Sequence, residues 1–221
     1  VEKILQSLHG SNPRMTYQMV NVGSWAGLTA IMLREADIAG IHILDETESR
    51  YNEPLVSKYS LSRTCALVRG YKRQQCFMVR KGNPKKIRNV EDLLREDVKL
   101  ANRNLGSGTR MLLDRKLQEL ARRKRMSFDA LTSQIRGYDS EMMTHREVAT
   151  AVATRRADVG VGLTSVAAET GLGFVPFAEE MYDFLVEKRL RNPYVRGFVD
   201  VLTSRRFQHR INATMSGITF L

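Results

Sequence analysis

Residues 98–120 read VKLANRNLGSGTRMLLDRKLQEL, an apolar run followed by a glycine-rich turn and then an amphipathic pattern. Leu113, Leu117 and Leu120 recur at i, i+4 and i+7, which predicts a helix with one apolar face. The two glycines of the turn allow the backbone to bend sharply and to approach a ligand closely. Because the first turn of a helix has amides without intrahelical partners, this order of strand, turn and helix predicts an anion site.

The hydroxyl side chains of the turn allow two interpretations. Ser107 and Thr109, which flank Gly108, can donate hydrogen bonds to a bound oxyanion. They can also act simply as helix caps, since Ser and Thr are preferred immediately before a helix. The two roles are compatible. Arg110 either adds a charge-assisted hydrogen bond to the ligand or lies on the solvated face of the helix.

Strand and helix patterns alternate along the whole chain, which predicts an α/β fold with largely parallel sheets. Segments 62–69 and 74–80 are expected to be two strands that pair across a turn near Gly70. The other expected strands are 16–22, 37–44, 98–102, 134–137, 158–163, 174–177 and 182–187. The expected helices begin with residues 1–8 and continue with 24–35, 90–94, the segment after Gly108, 144–154, 164–170 and 193–211.

Two helix–strand segments resemble one another at an offset of 121 residues. Residues 23–40 and 144–161 each place a Ser-, Thr- or His-bearing loop before a helix of about three turns. Each helix ends at Ala-Asp followed by Ile or Val, and a glycine-containing strand begins there. The similarity is either coincidental or the mark of two lobes of like topology, each with a helix N-terminus aimed at a shared cleft.

Composition excludes several classes of protein. The chain has 221 residues, 43% of them hydrophobic, and it contains no apolar run long enough to span a membrane. Its net charge is +11, but the basic clusters fall at predicted helix ends and carry no interleaved aromatic residues, so we expect no nucleic-acid site. The spacing of the cysteines and histidines matches no metal site, and no cofactor is expected. Catalytic motifs are lacking as well, which favours a binding protein over an enzyme.

Two observations bear on the cellular compartment of the protein. The chain starts in a helical pattern without a recognisable secretory signal. Cys65 and Cys76, the two cysteines, both lie in apolar runs, which favours a reducing environment over a disulfide framework. We therefore expect a cytoplasmic protein.

Several motifs taken together identify a family resemblance. They are Gly23-Ser24-x-x-Gly27-Leu28, the segment 35–45, Tyr51-Asn52, the segment 102–114 and Thr144-His145-x-x-Val148-Ala149. They resemble the periplasmic-binding-protein-like (type II) domain found beside helix-turn-helix regulators and molybdopterin-biosynthesis MoeA-type proteins. The resemblance covers nearly the whole chain and implies two α/β lobes with a ligand clasped between them. It also implies a fused or partner helix-turn-helix or molybdopterin-biosynthesis domain.

The lobes can be placed along this sequence. We expect lobe 1 to comprise residues 1–77 and 183–221 and lobe 2 residues 78–182, with crossings near 77–82 and 179–184. Members of the family begin with a strand and a small ligand-contacting loop, whereas this chain opens inside the first helix. Either that segment was removed or it belongs to an upstream portion of the protein, so we expect the first lobe of this sequence to lack one strand and one ligand-contacting loop.

The candidate ligand residues are helix-start, strand-end and crossing residues. They are Ser24, Trp25, His42, Ser107, Gly108, Thr109, Arg110, Thr144, His145 and Tyr182. His145 could instead be a capping or packing residue and Trp25 a core residue, just as Ser24, like Ser107 and Thr109, could be a helix cap. We expect a small oxyanion between Ser24, Ser107 and Thr109. Molybdate or tungstate fits both the hydroxyls and the resemblance, whereas sulfate, phosphate or a small organic acid, as in a transcription regulator, remains the alternative.

Overall fold

The structure is a computed structural model that describes residues 1–11, 14–20, 22–45, 47, 50–189 and 191–220. The chain divides into a first unit, Val1–Lys72 with Glu180–Leu221, and a second unit, Arg73–Glu179. The divisions at 72/73 and 179/180 compare with expected divisions at 77/78 and 182/183. The first of them lies upstream of the crossing expected near 77–82, and the second lies at the start of the crossing expected near 179–184.

The described residues form nine helices, nine strands and two short 3-10 helices, at Leu61–Arg63 and Val90–Leu94. The helices are α1 (Glu2–Ser11), α2 (Ser24–Met32), α3 (Glu53–Lys58), α4 (Gly108–Lys124), α5 (Phe128–Thr132), α6 (His145–Ala153), α7 (Thr164–Glu169), α8 (Pro193–Thr203) and α9 (Arg205–Thr214). The strands are β1 (Ile38–Ile41), β2 (Leu44–Asp45), β3 (Arg50–Tyr51), β4 (Cys65–Val79), β5 (Leu100–Arg103), β6 (Glu141–Met142), β7 (Val159–Leu163), β8 (Gly173–Glu187) and β9 (Ile218–Thr219). None of the helices among these residues is long and apolar enough to cross a bilayer.

The main sheet is mixed rather than largely parallel. Its strand order is β1-β8-β4-β7-β5-β6, with β9 also paired to β4. Strand β5 is parallel to both β6 and β7, whereas β1–β8 and β4–β7 are antiparallel. Parallel neighbours need a crossover connection, usually a helix, which α4 and α6 help to supply beside β5. The long strands β4 and β8 each continue from one unit into the other, and the antiparallel pairs involve them.

The expected hairpin at Gly70 is wrong, because β4 runs straight through that residue. A side chain at Gly70 would collide with the carbonyl oxygen of Tyr182, and the Gly70 amide donates to Asp183 Oδ1 at 3.0 Å. The glycine therefore permits a close approach of two backbones instead of a turn. Segments 174–177 and 182–187 are likewise parts of one strand, β8.

Two other expected strands are absent from the described residues. Segment 14–20 and residue 22 form no strand, and Asn21 lies outside the described residues. Although apolar residues alternate along this segment, no described strand pairs with it. Its side chains Tyr17, Met19, Val20 and Val22 are exposed. Segment 134–137 is a turn because Gly137 adopts a left-handed conformation (φ +84°) pressed against the Leu100 carbonyl.

The 121-residue repeat is visible in the backbone of each unit. Two residues after the last residue of α2 and of α6 lies an arginine of left-handed conformation, Arg34 at φ 60° and Arg155 at φ 61°. Two residues later, the Ala36 amide reaches the Ala30 carbonyl, and the Ala157 amide reaches the Ala151 carbonyl in the same way. The two helix–strand segments thus share their C-cap geometry as well as their sequence pattern.

The core of the second unit fixes the position of the glycine-rich turn. The predicted apolar face of α4 is correct: Leu113, Leu117 and Leu120 are fully buried against β5 and β7. Helix α6 packs on the opposite face of the sheet, with Val148 and Ala149 against Ala101. The turn between β5 and α4 therefore lies at the carboxyl end of a strand held from both sides, which is where ligands bind in open α/β sheets.

Candidate functional site

Ser107 is the N-cap of α4, and its hydroxyl proton is available for a further hydrogen bond. The Ser107 Oγ atom accepts a hydrogen bond from the Arg110 amide at 3.3 Å. A hydroxyl that accepts one hydrogen bond can still donate its own proton. The cap therefore presents an O–H group at the positive end of a 17-residue helix.

The backbone of the turn adds further donors. Gly106 is left-handed (φ +82°), and the space beside its Cα is open. The amides of Gly108 and Thr109 make no hydrogen bond to another residue in the part of the chain that the structure describes. The Ser107 hydroxyl and these two amides together form a group of neutral donors suited to an oxyanion.

The Thr109 hydroxyl has a different role from the one expected. Thr109 is 2% exposed, and its Oγ1 donates to Oε1 of the fully buried Gln75 at 3.1 Å. The Thr109 hydroxyl proton is therefore already used in a hydrogen bond to a residue of β4. The structure leaves the Thr109 amide, and not its side chain, as a donor for a ligand.

Arg110 is tied to the protein. It is 5% exposed, and its Nε lies 2.9 and 3.0 Å from the two carboxylate oxygens of Asp114. Its guanidinium also lies over the Tyr138 ring at 4.1 Å and contacts Glu141 at 3.4 Å. Burial alone lowers the pKa of Arg110, but hydrogen bonds with Tyr138 and Asp114 hold that pKa above its usual value. Arg110 is therefore neither an unpaired cation nor a residue of the solvated helix face.

The Tyr138 hydroxyl belongs to the same buried group. It donates to Asp114 Oδ1 at 2.8 Å. Burial raises the pKa of Tyr138 to about 12, and the hydrogen bond with Asp114 acts in the same direction. This group packs the first turns of α4 against the loop that precedes β6.

The start of α6 presents two further candidates. Thr144 is the N-cap and accepts the Glu147 amide at 3.1 Å, while the Glu147 carboxylate accepts the Met143 amide at 2.9 Å. The Glu147 carboxylate already occupies this helix end, so Thr144 is explained by capping. His145 instead contacts Arg103, whose Nη1 lies 3.2 and 3.0 Å from the two imidazole nitrogens.

Arg103 is a residue that the sequence analysis did not single out. Its guanidinium donates to the carbonyl oxygens of Met142 at 3.1 Å and Met143 at 2.9 Å. Since a guanidinium can only donate, a nitrogen of His145 must accept from it. Arg103 ends β5 directly before the turn, and its guanidinium lies against the Met142–Met143 backbone and His145 at the start of α6.

The first unit contains its own polar group at the carboxyl end of β1. The Ser24 hydroxyl, at the start of α2, accepts the His42 amide at 3.1 Å. The His42 Nδ1 atom lies 3.1 Å from Oε2 of Glu180, which is 2% exposed. The His42 ring stacks on Tyr182 at 5.5 Å, and Tyr182 stacks on Tyr71 at 5.5 Å. The structure thus brings together three of the expected residues, Ser24, His42 and Tyr182.

Trp25 is neither a core residue nor part of that stack. It is 44% exposed and meets Tyr59 edge-on, with the ring centroids 6.5 Å apart. The expected core alternative is therefore wrong. Its role in ligand binding stays a prediction.

A neighbouring buried group in the first unit is structural. The Asp183 carboxylate accepts Asn52 Nδ2 at 2.8 Å and the Gly70 amide at 3.0 Å. Asn52 in turn accepts the Ile43 amide at 2.8 Å. These hydrogen bonds join β8, β4 and the chain before α3, so Asp183 and Asn52 fix the frame that carries His42.

The candidate residues fall into two sets. Ser24, Trp25, His42 and Tyr182 belong to the first unit, and Ser107, Gly108, Thr109, Arg110, Thr144 and His145 belong to the second. Among the described residues, no cluster of three or more His, Cys, Asp or Glu side chains could hold a metal ion. Three residues of these polar groups were not indicated by the sequence alone: Gln75, Arg103 and Glu180.

Comparison with known proteins gives the family. The PBP superfamily domain matches residues 5–203. YvgK of Bacillus subtilis, an uncharacterised protein, is 28% identical over 190 residues, which are 86% of this chain and 59% of YvgK. The chain therefore spans less than two thirds of this relative.

Solved structures with the same fold include two binding proteins and a regulatory domain. A substrate-binding protein from Clostridium perfringens, assigned to a phosphate ABC transporter and solved with bound phosphate, has a TM-score of 0.65 and 14% identity over 100% of this chain and 93% of its own. The substrate-binding domain of a Clostridium difficile protein assigned to a molybdenum ABC transporter has a TM-score of 0.57 and 16% identity, with coverage of 100% and 93%.

The third such structure comes from a transcription regulator. The regulatory domain of MetR, a LysR family regulator from N. meningitidis, has a TM-score of 0.58 and 12% identity, with coverage of 100% and 92%. At these identities the likenesses show the fold alone. The domain match over most of the sequence establishes that the chain belongs to the PBP superfamily, and the solved structures show that it has the periplasmic-binding-protein-like type II fold.

Proposed function

We propose that this chain binds a small oxyanion at the start of α4, as a binding domain and not as an enzyme. The observation that carries the proposal is the group of neutral donors there: the Ser107 hydroxyl and the amides of Gly108 and Thr109. These donors lie at the positive end of a long helix, which favours an anion without requiring a formal countercharge. Each hydrogen bond to a charged ligand contributes about 1.5–3 kcal/mol.

The charges around this group favour a compact anion over a bulky polyanion. Arg110 is neutralised by Asp114 and by the half-exposed Glu141. The Glu141 carboxylate also accepts the Leu105 amide at 3.1 Å, so one side of the turn is already occupied by an acid. An inorganic oxyanion small enough to contact only the remaining donors fits this arrangement best.

Among oxyanions we propose molybdate or tungstate, which connects the chain with molybdenum cofactor biosynthesis or its regulation. The resemblance to domains found beside molybdopterin-biosynthesis proteins supports this choice, as does the likeness to a binding domain assigned to a molybdenum transporter. Sulfate and phosphate use the same donors and are the competing ligands. We also propose that a helix-turn-helix or molybdopterin-biosynthesis domain accompanies this one, since the domains that this sequence resembles are found beside such proteins.

A second candidate is an effector-binding domain that recognises a small organic acid in a transcription regulator. The likeness to the MetR regulatory domain favours it. Under this alternative the same donors at the start of α4 hold a carboxylate in place of a tetrahedral oxyanion. A ligand panel that contains both kinds of anion distinguishes the two candidates.

Isothermal titration of the chain with molybdate, tungstate, sulfate, phosphate and a set of small carboxylates tests the proposal. The Ser107→Ala variant should bind the ligand about ten- to a hundredfold more weakly, since it loses one hydrogen bond to a charge. Ser127→Ala is the matched control, because Ser127 caps α5 with the same geometry and accepts the Ala130 amide at 3.1 Å.

Loss of either cap should lower the free energy of unfolding by about 1 kcal/mol. Only Ser107→Ala should change the affinity. Equal affinities in both variants and the parent would show that Ser107 is merely a cap. Binding of a carboxylate alone would favour the effector-binding candidate.

A further inference from the structure

One carboxylate oxygen contacts the chain on both sides of the donor segment, residues 107–109. Glu141, the first residue of β6, is placed beside β5 by the parallel register that pairs it with Asn102. Its Oε1 atom accepts the Leu105 amide at 3.1 Å and lies 3.4 Å from Nη1 of Arg110. Because Leu105 precedes the donor segment and Arg110 follows it, the Glu141 charge lies beside that segment.

The distance from this charge to a bound anion is limited by the length of the chain between them. Three residues separate the amides of Leu105 and Gly108, and three residues of fully extended chain span about 10 Å. The segment is shorter than that, because the Ser107 amide donates to the Asn104 carbonyl at 3.2 Å and closes a turn. An anion held by the proposed donors therefore lies about 10 Å or less from the Glu141 carboxylate.

The cation that faces Glu141 does not cancel its charge. Arg110 is 5% exposed, and its Nε is bound by both carboxylate oxygens of Asp114, at 2.9 and 3.0 Å. Two carboxylates therefore share one guanidinium, which leaves this group with a net negative charge at the start of α4. The Glu141 side chain is 42% exposed, so its charge faces the solvent from which an anion arrives.

We propose that Glu141 is a specificity-determining residue, whose carboxylate lowers the affinity for doubly charged anions more than for singly charged ones. The inference rests on the proposed oxyanion site at the start of α4. At about 10 Å in bulk water, the repulsion by one carboxylate weakens binding about twofold for each charge on the ligand. A dianion therefore loses about fourfold, and more where the protein lowers the local dielectric constant. The carboxylate thus shifts the selectivity among tetrahedral anions of similar size towards lower charge.

The hydrogen bond from Leu105 gives Glu141 a structural role as well, which a test has to preserve. Glu141→Gln does so, because the amide oxygen of glutamine accepts the same hydrogen bond while the charge is removed. Glu91→Gln is the matched control. Glu91 lies 3.4 Å from Arg123 and its side chain is 48% exposed, but Arg123 is about 22 Å from Gly108 along α4.

Titration with two tetrahedral anions of different charge tests the proposal. Tungstate is doubly charged and perrhenate is singly charged, and isothermal titration at about 10 mM ionic strength keeps the screening weak. Glu141→Gln should bind tungstate at least about fourfold more tightly than the parent, and perrhenate more tightly by only the square root of that factor. The gain for tungstate should disappear at about 1 M salt, where the Debye length is about 3 Å. Glu91→Gln should change either affinity by less than about twofold.

Each contrary result has a distinct meaning. Equal tungstate affinities in the parent and Glu141→Gln would overturn the role of Glu141 and leave the oxyanion site in place. An equal gain for tungstate and perrhenate, or a tungstate gain that persists at high salt, would also overturn it, because the substitution would then act on the shape of the turn. If neither protein binds either anion at millimolar concentration while circular dichroism shows both folded, the oxyanion site itself is wrong.

Discussion

Replacing Thr109 with valine separates the two roles that a hydroxyl can have in the turn before α4. Valine keeps the shape of threonine and the backbone amide but removes the hydroxyl. In the structure that hydroxyl donates to Oε1 of Gln75 at 3.1 Å, with Thr109 2% exposed and Gln75 fully buried. Loss of a buried hydrogen bond whose acceptor stays behind costs about 1–3 kcal/mol.

Urea denaturation followed by circular dichroism should therefore show Thr109→Val less stable by about 1–3 kcal/mol. Thr150→Val is the matched control, since the Thr150 hydroxyl donates to a carbonyl on the exposed face of α6; it should change stability by about 0.5 kcal/mol or less. Oxyanion affinity should stay within about twofold of the parent, because the amide of residue 109 remains. A large loss of affinity with unchanged stability would refute this assignment and restore the Thr109 hydroxyl as a direct ligand contact.

Three further predictions concern the thiols, a buried phenol and the net charge. Because burial raises the pKa of Cys76 to about 12, its thiol should not react with a disulfide reagent near pH 8 in the folded chain, whereas Cys65 and Cys76 should both react after unfolding. The raised pKa of Tyr138, about 12, favours the protonated phenol in the folded state, so its contribution to stability should be complete below pH 10 and disappear between pH 10 and 12. Unfolding curves of the parent and Tyr138→Phe over that range measure this loss. Duplex DNA should not bind the chain with sub-micromolar affinity at physiological salt, which a fluorescence anisotropy titration checks.

Local patterns were sufficient to predict the elements that surround the turn. The i, i+4, i+7 spacing of leucines gave the correct buried face of α4, and a serine between two glycines identified its N-cap. The 121-residue repeat correctly indicated two helix–strand segments of like geometry. These features depend on interactions within one turn or between adjacent elements, which sequence spacing reflects directly.

The conformations of two glycines were predicted wrongly from the sequence. Gly70 resembled a turn residue, but it lies in the middle of β4 because Tyr182, more than a hundred residues later, passes too close for a side chain. Gly137 resembled part of a strand, but it adopts a left-handed turn against Leu100. Close approach and turn formation both select glycine, and only the position of the distant segment distinguishes them.

The candidate site shows the same division between local and long-range contacts. The Arg110–Asp114 pair has i, i+4 spacing and could have been predicted from the sequence. Gln75 with Thr109 and Arg103 with His145 are separated by 34 and 42 residues, and no spacing rule connects them. His42 and Glu180 are farther apart still, so the acid that faces His42 could not be found from the sequence.

The central claim is that an oxyanion binds the amides at the start of α4. Its most direct test is a titration of the ¹⁵N-labelled chain with molybdate, sulfate and phosphate, followed through the amide signals of Gly108 and Thr109. Both signals should move downfield and saturate with one common dissociation constant, while the amides of Phe128 and Asp129 at the start of α5 should stay in place. Saturable binding that shifts other amides and leaves Gly108 and Thr109 unmoved would contradict the account, as would the absence of any shift at millimolar anion.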